Sequence, residues 1–334
     1  MKVIAADKTV VVTGGSVGVG RAVALEFARN GWRVALLARG IKRLEATAKE
    51  IRALGAEALI FSVDVADATA VEDAAARVVR SWGHIDVWVN NAMVTVFGRA
   101  ETIEPAEFQR VTDVTYLGQV HGTLAALRWM RERNQGTIVC IGSALTYRSI
   151  PLQSAYCGAK AAVRGFVDSL RCELLHDKSP IKLTMVHLPA VNTPQFDWAR
   201  CKMDRQPRPV APVYQPQAIA IQVYKAALSA PRELWVGQPT VKTILGGMAL
   251  PSLTDRFASS QAYEGQLDES IVAQGRRDNL FEPADIDTGV GRFGSEARGS
   301  VHALSSTSAR AAVVGAGLTA LGLGFVFSRR LRGR

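Results

Sequence analysis

A β-branched run from Thr9 to Val12 leads into TGGSVGVG, Thr13 to Gly20, after which Arg21 to Asn30 takes helical spacing. Strand, small-residue turn and helix in that order leave few folds open. The small side chains let a phosphate approach the backbone, and the helix N-terminus presents amide donors to the anion. A lone glycine turn also serves a tight strand-to-helix connection for purely conformational reasons, so its meaning depends on the rest of the chain.

Beyond the turn the same strand-and-helix unit recurs. Trp32 to Ala38, Ala58 to Val63, Ile85 to Val89, Thr137 to Ile141, Ile181 to Leu188 and Glu233 to Val236 read as apolar strands. Helical stretches separate them: Ile41 to Leu54, Ala66 to Trp82, Pro105 to Met130, the residues after Pro151, and Pro216 to Ala230. Continuous apolar strands alternating with helices predict an α/β fold, a doubly wound parallel sheet covered on both faces. Ligands of such sheets bind beyond the carboxyl ends of the strands. Gly14 to Gly20, Arg39, Asp64, Asn90 and Ser143 all fall at that edge.

The chemistry concentrates in SALTYRSIPLQSAYCGAK, Ser143 to Lys160. On a helix Tyr156 and Lys160 stand at i and i+4, on one face. A nearby ammonium favours the phenolate, which makes the phenol a proton donor and acceptor near neutral pH. Ser143, at the end of its strand, is placed to hydrogen-bond a carbonyl or alcohol oxygen held against the Tyr hydroxyl. Tyr-x-x-x-Lys alone is a weak signal; its position on the glycine-turn edge strengthens it. At the end of the second strand an acid would bind the adenine ribose of NAD, whereas a cation pairs with the 2′-phosphate of NADP. Ala38 and Arg39 therefore favour NADP(H) over NAD(H).

From about Lys8 to Gly237 the chain resembles the short-chain dehydrogenases/reductases. The resemblance rests on TGGSVGVG, Asp64, Asn90-Asn91-Ala92, Ser143, Tyr156 to Lys160, and Pro189 with Thr193, in family order and spacing. It implies a Rossmann-type fold and an NAD(P)-dependent oxidoreductase acting between alcohols and ketones or aldehydes. It also implies that Tyr156 transfers the proton, that Lys160 lowers its pKa and holds the nicotinamide ribose, and that Ser143 orients the substrate oxygen. Cofactor contacts are implied for Gly14, Ser16, Gly18, Val19, Gly20, Asp64, Asn90, Val191 and Thr193, with Asp64 at the adenine and Asn90 at its ribose. Two positions depart from the family: Met93 stands where a Gly is usual, and Thr115 replaces the helix-kink Asn counted as a fourth catalytic residue. A threonine hydroxyl holds a water with fewer hydrogen bonds than an amide. A membrane-tethered NADP(H)-binding sensor or scaffold is the alternative these departures leave open.

The formal charge of +10 invites a nucleic-acid partner, but five of the arginines lie in the last 26 residues, which hold no acid, leaving about +5 for the rest. No nucleic acid is expected. Four widely spaced cysteines fit reduced thiols, with no metal site. The start lacks a signal-peptide pattern, so a cytoplasmic catalytic domain, residues 1–250, is expected. Gln195 to Gln215 has poor periodicity and reads as a lid whose Phe196, Trp198 and Tyr214 either meet an apolar substrate or anchor the loop. Residues 251–308 read as a partly disordered linker. Ala311 to Phe327 has neither charge nor proline, and SRRLRGR comes after it. Residues 309–328 are expected to attach to a membrane, as a short span or lying at the headgroups, ahead of a basic tail, 329–334. A homo-oligomer is expected.

Overall fold

The computed structural model describes residues 7–273, 275–284 and 289–312. Seven parallel strands form the predicted Rossmann-type sheet: β1 (Thr9–Thr13), β2 (Arg33–Ala38), β3 (Ala58–Ser62), β4 (Val87–Asn90), β5 (Thr137–Ser143), β6 (Lys182–Leu188) and β7 (Glu233–Val236). An eighth, β8 (Ala303–Ser305), pairs antiparallel with β7, giving the order β8-β7-β6-β5-β4-β1-β2-β3. The chain winds outward in both directions from β1 and β4, whose carboxyl ends therefore flank a crevice.

Alternation along each strand sorts side chains between two cores. Val11, Ala35 and Leu37 face the layer containing α3 (Ala68–Trp82), α5 (Gly118–Arg133) and α6 (Ser154–His176). Val10, Val12, Val34 and Leu36 face α1 (Gly18–Arg29), α2 (Ile41–Ala53) and α7 (Pro216–Ser229). Both faces are dry, which is why the strands read as unbroken apolar runs. The helical stretch expected from Pro105 to Met130 is two helices, α4 (Pro105–Thr112) and α5, joined by a π-helical turn at Asp113–Leu117.

Residues 251–308 were expected as a partly disordered linker; the described part of that range packs on the domain. After α8 (Gln238–Ala249) and α9 (Pro251–Phe257), Leu267–Ile271 pairs with Arg205–Pro207, and β8 extends the main sheet. Leu280 and Phe293 are buried, one in the main core and the other against Phe97 and Phe196. Single apolar anchors between polar stretches have no period, so a search for amphipathic patterns passes over them. The lid expected over 195–215 is likewise tied down: Arg200–Cys201 pairs with Val96–Phe97, and Phe196, Trp198 and Tyr214 are all buried.

Residues 306–312 are helical, with Ala309 packed against Trp235 and Ile244. Beyond residue 312 the expected membrane segment lies outside the described residues. Among the described residues no helix is long and apolar enough to cross a membrane.

Candidate active site

One cavity of about 640 Å³ runs along the carboxyl edge of the sheet. Its walls bring together Gly14, Ser16, Gly18, Val19, Arg39, Asp64, Ser143, Tyr156, Lys160, Val191 and Thr193, from well-separated stretches of chain. Gly18 adopts φ +53° at the start of α1, a conformation that favours glycine, and its amide donates to the Gly289 carbonyl at 3.1 Å.

α6 places Tyr156 and Lys160 as their spacing predicts. The Lys160 Nζ lies 5.7 Å from the centre of the Tyr156 ring and donates to the Ile141 carbonyl at 2.6 Å. That carbonyl also accepts from Gln119 Nε2 at 3.1 Å. Lys160 is almost fully buried, and desolvation pulls its pKa down to about 8. Burial acts on Tyr156 with the opposite sign, pushing the phenol above its ordinary value, partly offset by a hydrogen bond to Ser143. Desolvation, rather than the ammonium, therefore dominates the phenol, which stays protonated at neutral pH. The Ser143 hydroxyl accepts from the Leu145 amide at 3.1 Å, which fixes its rotamer at the cavity wall.

Behind Ser143 lies a polar cluster that the sequence did not announce. The Ser143 carbonyl lies 3.1 Å from Nδ1 of the fully buried His187, so a neutral ring donates there. Burial draws the His187 pKa down to about 4. Its Nε2 lies 3.8 Å from Glu233, whose carboxylate accepts from Tyr147 at 2.6 Å and Trp235 at 3.1 Å. Polar residues on strands that otherwise read as apolar were the available signal.

Three expected site residues do not reach the cavity. Thr115, in the π-helical turn, is fully buried, and its hydroxyl accepts from the Val94 amide (3.0 Å) and donates to the Val94 carbonyl (2.8 Å), so it has no donor left for a water relay. Asn90 is also fully buried, accepting from Trp88 Nε1 and donating to Thr123. The next residue points the other way, as strand alternation requires: Asn91 lines the cavity and donates to the Thr13 and Gly14 carbonyls. Gly20 sits beneath the turn, where close packing rather than ligand contact requires glycine.

The adenosine end differs from expectation in its use of charge. Arg39 lines the cavity, but its guanidinium donates to the carbonyls of Asn279, Leu280 and Phe281. Asp64 is held by Arg110 and by the Ala66 amide. Arg43, in the first turn of α2, also lines the cavity, and its Nη2 is buried without a hydrogen-bond partner. A nicotinamide dinucleotide fits this wall: a glycine turn whose small residues permit close approach, the Arg43 guanidinium with one buried orphan nitrogen, and the Ser143–Tyr156–Lys160 group.

The short chain dehydrogenase family profile matches residues 8–202. An uncharacterized oxidoreductase of Bacillus subtilis, YxnA, is 31% identical over 262 residues, 78% of this chain and 74% of that protein. Among solved structures, an alcohol dehydrogenase from the archaeon Thermococcus sibiricus complexed with 5-hydroxy-NADP is 29% identical with a TM-score of 0.58, covering 67% of this chain and 92% of that one. A metagenomic short-chain oxidoreductase in complex with NADP is also 29% identical, at a TM-score of 0.56 over 66% of this chain and 90% of that one. With a profile match over more than half its length, a Rossmann-type sheet and a cavity at that sheet's carboxyl edge, the chain belongs to the short-chain dehydrogenase/reductase family and is an NAD(P)-dependent oxidoreductase.

Proposed function

We propose that the protein interconverts a ketone or aldehyde with an alcohol, using NADP(H), on a substrate that is largely apolar. The observation that carries this reading is the meeting of Ser143, Tyr156 and Lys160 at the wall of the same cavity as the glycine turn. When bound, the nicotinamide supplies or accepts the hydride. Tyr156, kept protonated by its burial, donates its hydroxyl proton to the developing alkoxide oxygen in reduction and takes it back in oxidation. Ser143 steadies that oxygen by a hydrogen bond, and its own position is set from Leu145 and His187. Lys160, anchored on Ile141, supplies positive charge beside the phenol and so stabilises the phenolate left after transfer.

The apolar substrate is inferred from the rest of the cavity wall, which includes Leu145, Ile150, Phe196, Trp198, Val210 and Phe257. For the cofactor, the 2′-phosphate falls to Arg43, with no acid at Ala38 or Arg39 to bind a ribose hydroxyl instead. Arg43→Ala is expected to weaken NADPH binding at least tenfold, about 1.4 kcal/mol, while leaving NADH nearly unchanged. Fluorescence titration with both nucleotides checks this, and equal losses for the two would remove Arg43 from the phosphate site. The sensor alternative predicts NADPH binding without turnover on any ketone, quinone or aldehyde offered.

Membrane attachment through the apolar run Ala311 to Phe327 is a further part of the reading, supported by hydropathy alone. The full chain should cosediment with anionic vesicles, and a chain ending at residue 312 should stay in the supernatant. Equal partition of both would remove the anchor.

A further inference from the structure

Thr243 to Thr254 reads TILGGMALPSLT, twelve residues without a charge, where α8 ends and α9 begins. The inner part of this stretch is covered: Ile244 is fully buried with Trp235 and Ala309, and Val241 and Leu245 pack beside it. The outer part is not. Met248, Leu250, Leu253 and Phe257 are each more than half exposed. Leu250, Leu253 and Phe257 stand at i, i+3 and i+7, one stripe along α9 and its cap. α9 turns back on α8, since a Cβ at Gly246 would lie 3.7 Å from the Thr254 side chain. Large apolar side chains gathered on one exposed helical hairpin mark a contact surface.

What that surface meets follows from where the chain leads. The helical residues 306–312 end three residues after Ala309, which packs on the flank of α8 at Ile244. Met248 lies four residues beyond Ile244, about 6 Å along the helix axis. The apolar run Ala311 to Phe327 therefore begins beside the exposed patch. Lys242, Arg256 and Arg310 are exposed on the same three elements, whose single acid, Asp255, is paired with Arg148. Apolar side chains among unopposed cations suit an anionic headgroup layer above an acyl interior. The patch also reaches the cavity, because Thr254 and Phe257 of α9 line it.

We propose that the α8–α9 hairpin docks on the surface of an anionic lipid bilayer and turns the side of the cavity marked by Phe257 toward the lipid. This deepens the membrane reading above and rests on it. The run Ala311 to Phe327 supplies the attachment, and the hairpin supplies the orientation: a single tether leaves a domain free to turn, whereas a second contact on the same flank holds one face down. Phe257 is both exposed and part of the cavity wall, so an apolar substrate dissolved in the acyl layer meets the cavity there without crossing bulk water.

The test uses the full chain and vesicles of mixed phosphatidylcholine and phosphatidylglycerol. Leu250→Gln with Leu253→Gln, which removes apolar surface and adds no charge, is expected to weaken vesicle binding at least tenfold. Leu175→Gln with Leu228→Gln, at two exposed leucines on other helices, should leave it unchanged. Equal binding by the two double variants, whether both retained or both lost, would overturn the docking. Hydrogen exchange on the unsubstituted chain gives a readout free of any substitution: amides of 248–257 should slow when vesicles are added, while those of α7 do not. Exchange at 248–257 that ignores vesicles overturns the proposal. So does a dimer that forms without lipid and dissociates in the Leu250→Gln, Leu253→Gln variant, because a second copy then covers the patch. If the unsubstituted chain binds no vesicles, the membrane reading and the docking fall together; binding that the patch substitutions leave intact keeps the anchor and overturns the docking alone.

Discussion

Tyr156→Phe is expected to lower turnover about a thousandfold on any carbonyl the protein reduces while leaving NADPH binding little changed, because positioned proton transfer contributes roughly 10²–10⁴ to a rate. The substitution removes one oxygen from a half-buried ring on α6 and leaves the packing of the helix intact. The pH profile of the unsubstituted protein carries a second signature. Burial keeps the Tyr156 phenol protonated well above neutrality, so it is not the first group to titrate. Lys160 is: it carries its charge below a pKa of about 8 and loses it above. Reductive turnover should therefore fall as the pH rises through about 8, as the charge that stabilises the phenolate disappears. Steady-state rates from mildly acidic to alkaline pH, with nucleotide-binding measurements alongside, check both. Undiminished turnover by Tyr156→Phe would remove the tyrosine from the chemistry.

The second large effect is steric. A Cβ at Gly20 would lie 2.1 Å from the Gly14 carbonyl oxygen and 2.4 Å from Asn91 Nδ2. The first of these contacts is with backbone, so α1 and the glycine turn must separate to relieve it. Gly20→Ala is therefore expected to cost about 3 kcal/mol of stability, at the upper end for overpacking, and to weaken dinucleotide binding at least tenfold. Gly158 offers the opposite case within the site's own helix: a Cβ there meets nothing within 4 Å. Gly158→Ala should raise stability by roughly 0.5–1 kcal/mol through helix propensity. Thermal unfolding of both variants and nucleotide titration of the first decide the matter. A Gly20→Ala protein that melts and binds like the parent would mean the turn has slack that its packing does not suggest.

The parallel sheet and the edge at which the site forms were legible in the sequence because they rest on local regularities. Apolar runs such as Val10 to Val12 mark strands dry on both faces, and the four-residue step from Tyr156 to Lys160 is a property of any helix. Ser143, Tyr156 and Lys160 met at one cavity wall because each depends only on its own element and on strand order.

Other features depended on partners far along the chain. Nothing near Arg39 reveals that carbonyls some 240 residues later occupy its guanidinium, leaving Arg43 as the cation with an orphan nitrogen. Nothing near Thr115 shows that the Val94 main chain takes both of its hydrogen bonds, and nothing near Asn90 shows that the Thr123 hydroxyl accepts from its amide. The segment from 251 to 308 looked unstructured because its order comes from isolated anchors, Leu280 and Phe293 among them, that gain burial only against surfaces built by the first half of the chain. Periodicity reports how a segment would fold against any apolar layer. Which donor meets which acceptor is settled only when distant segments are packed together, since a hydrogen bond depends on positions that no local pattern encodes.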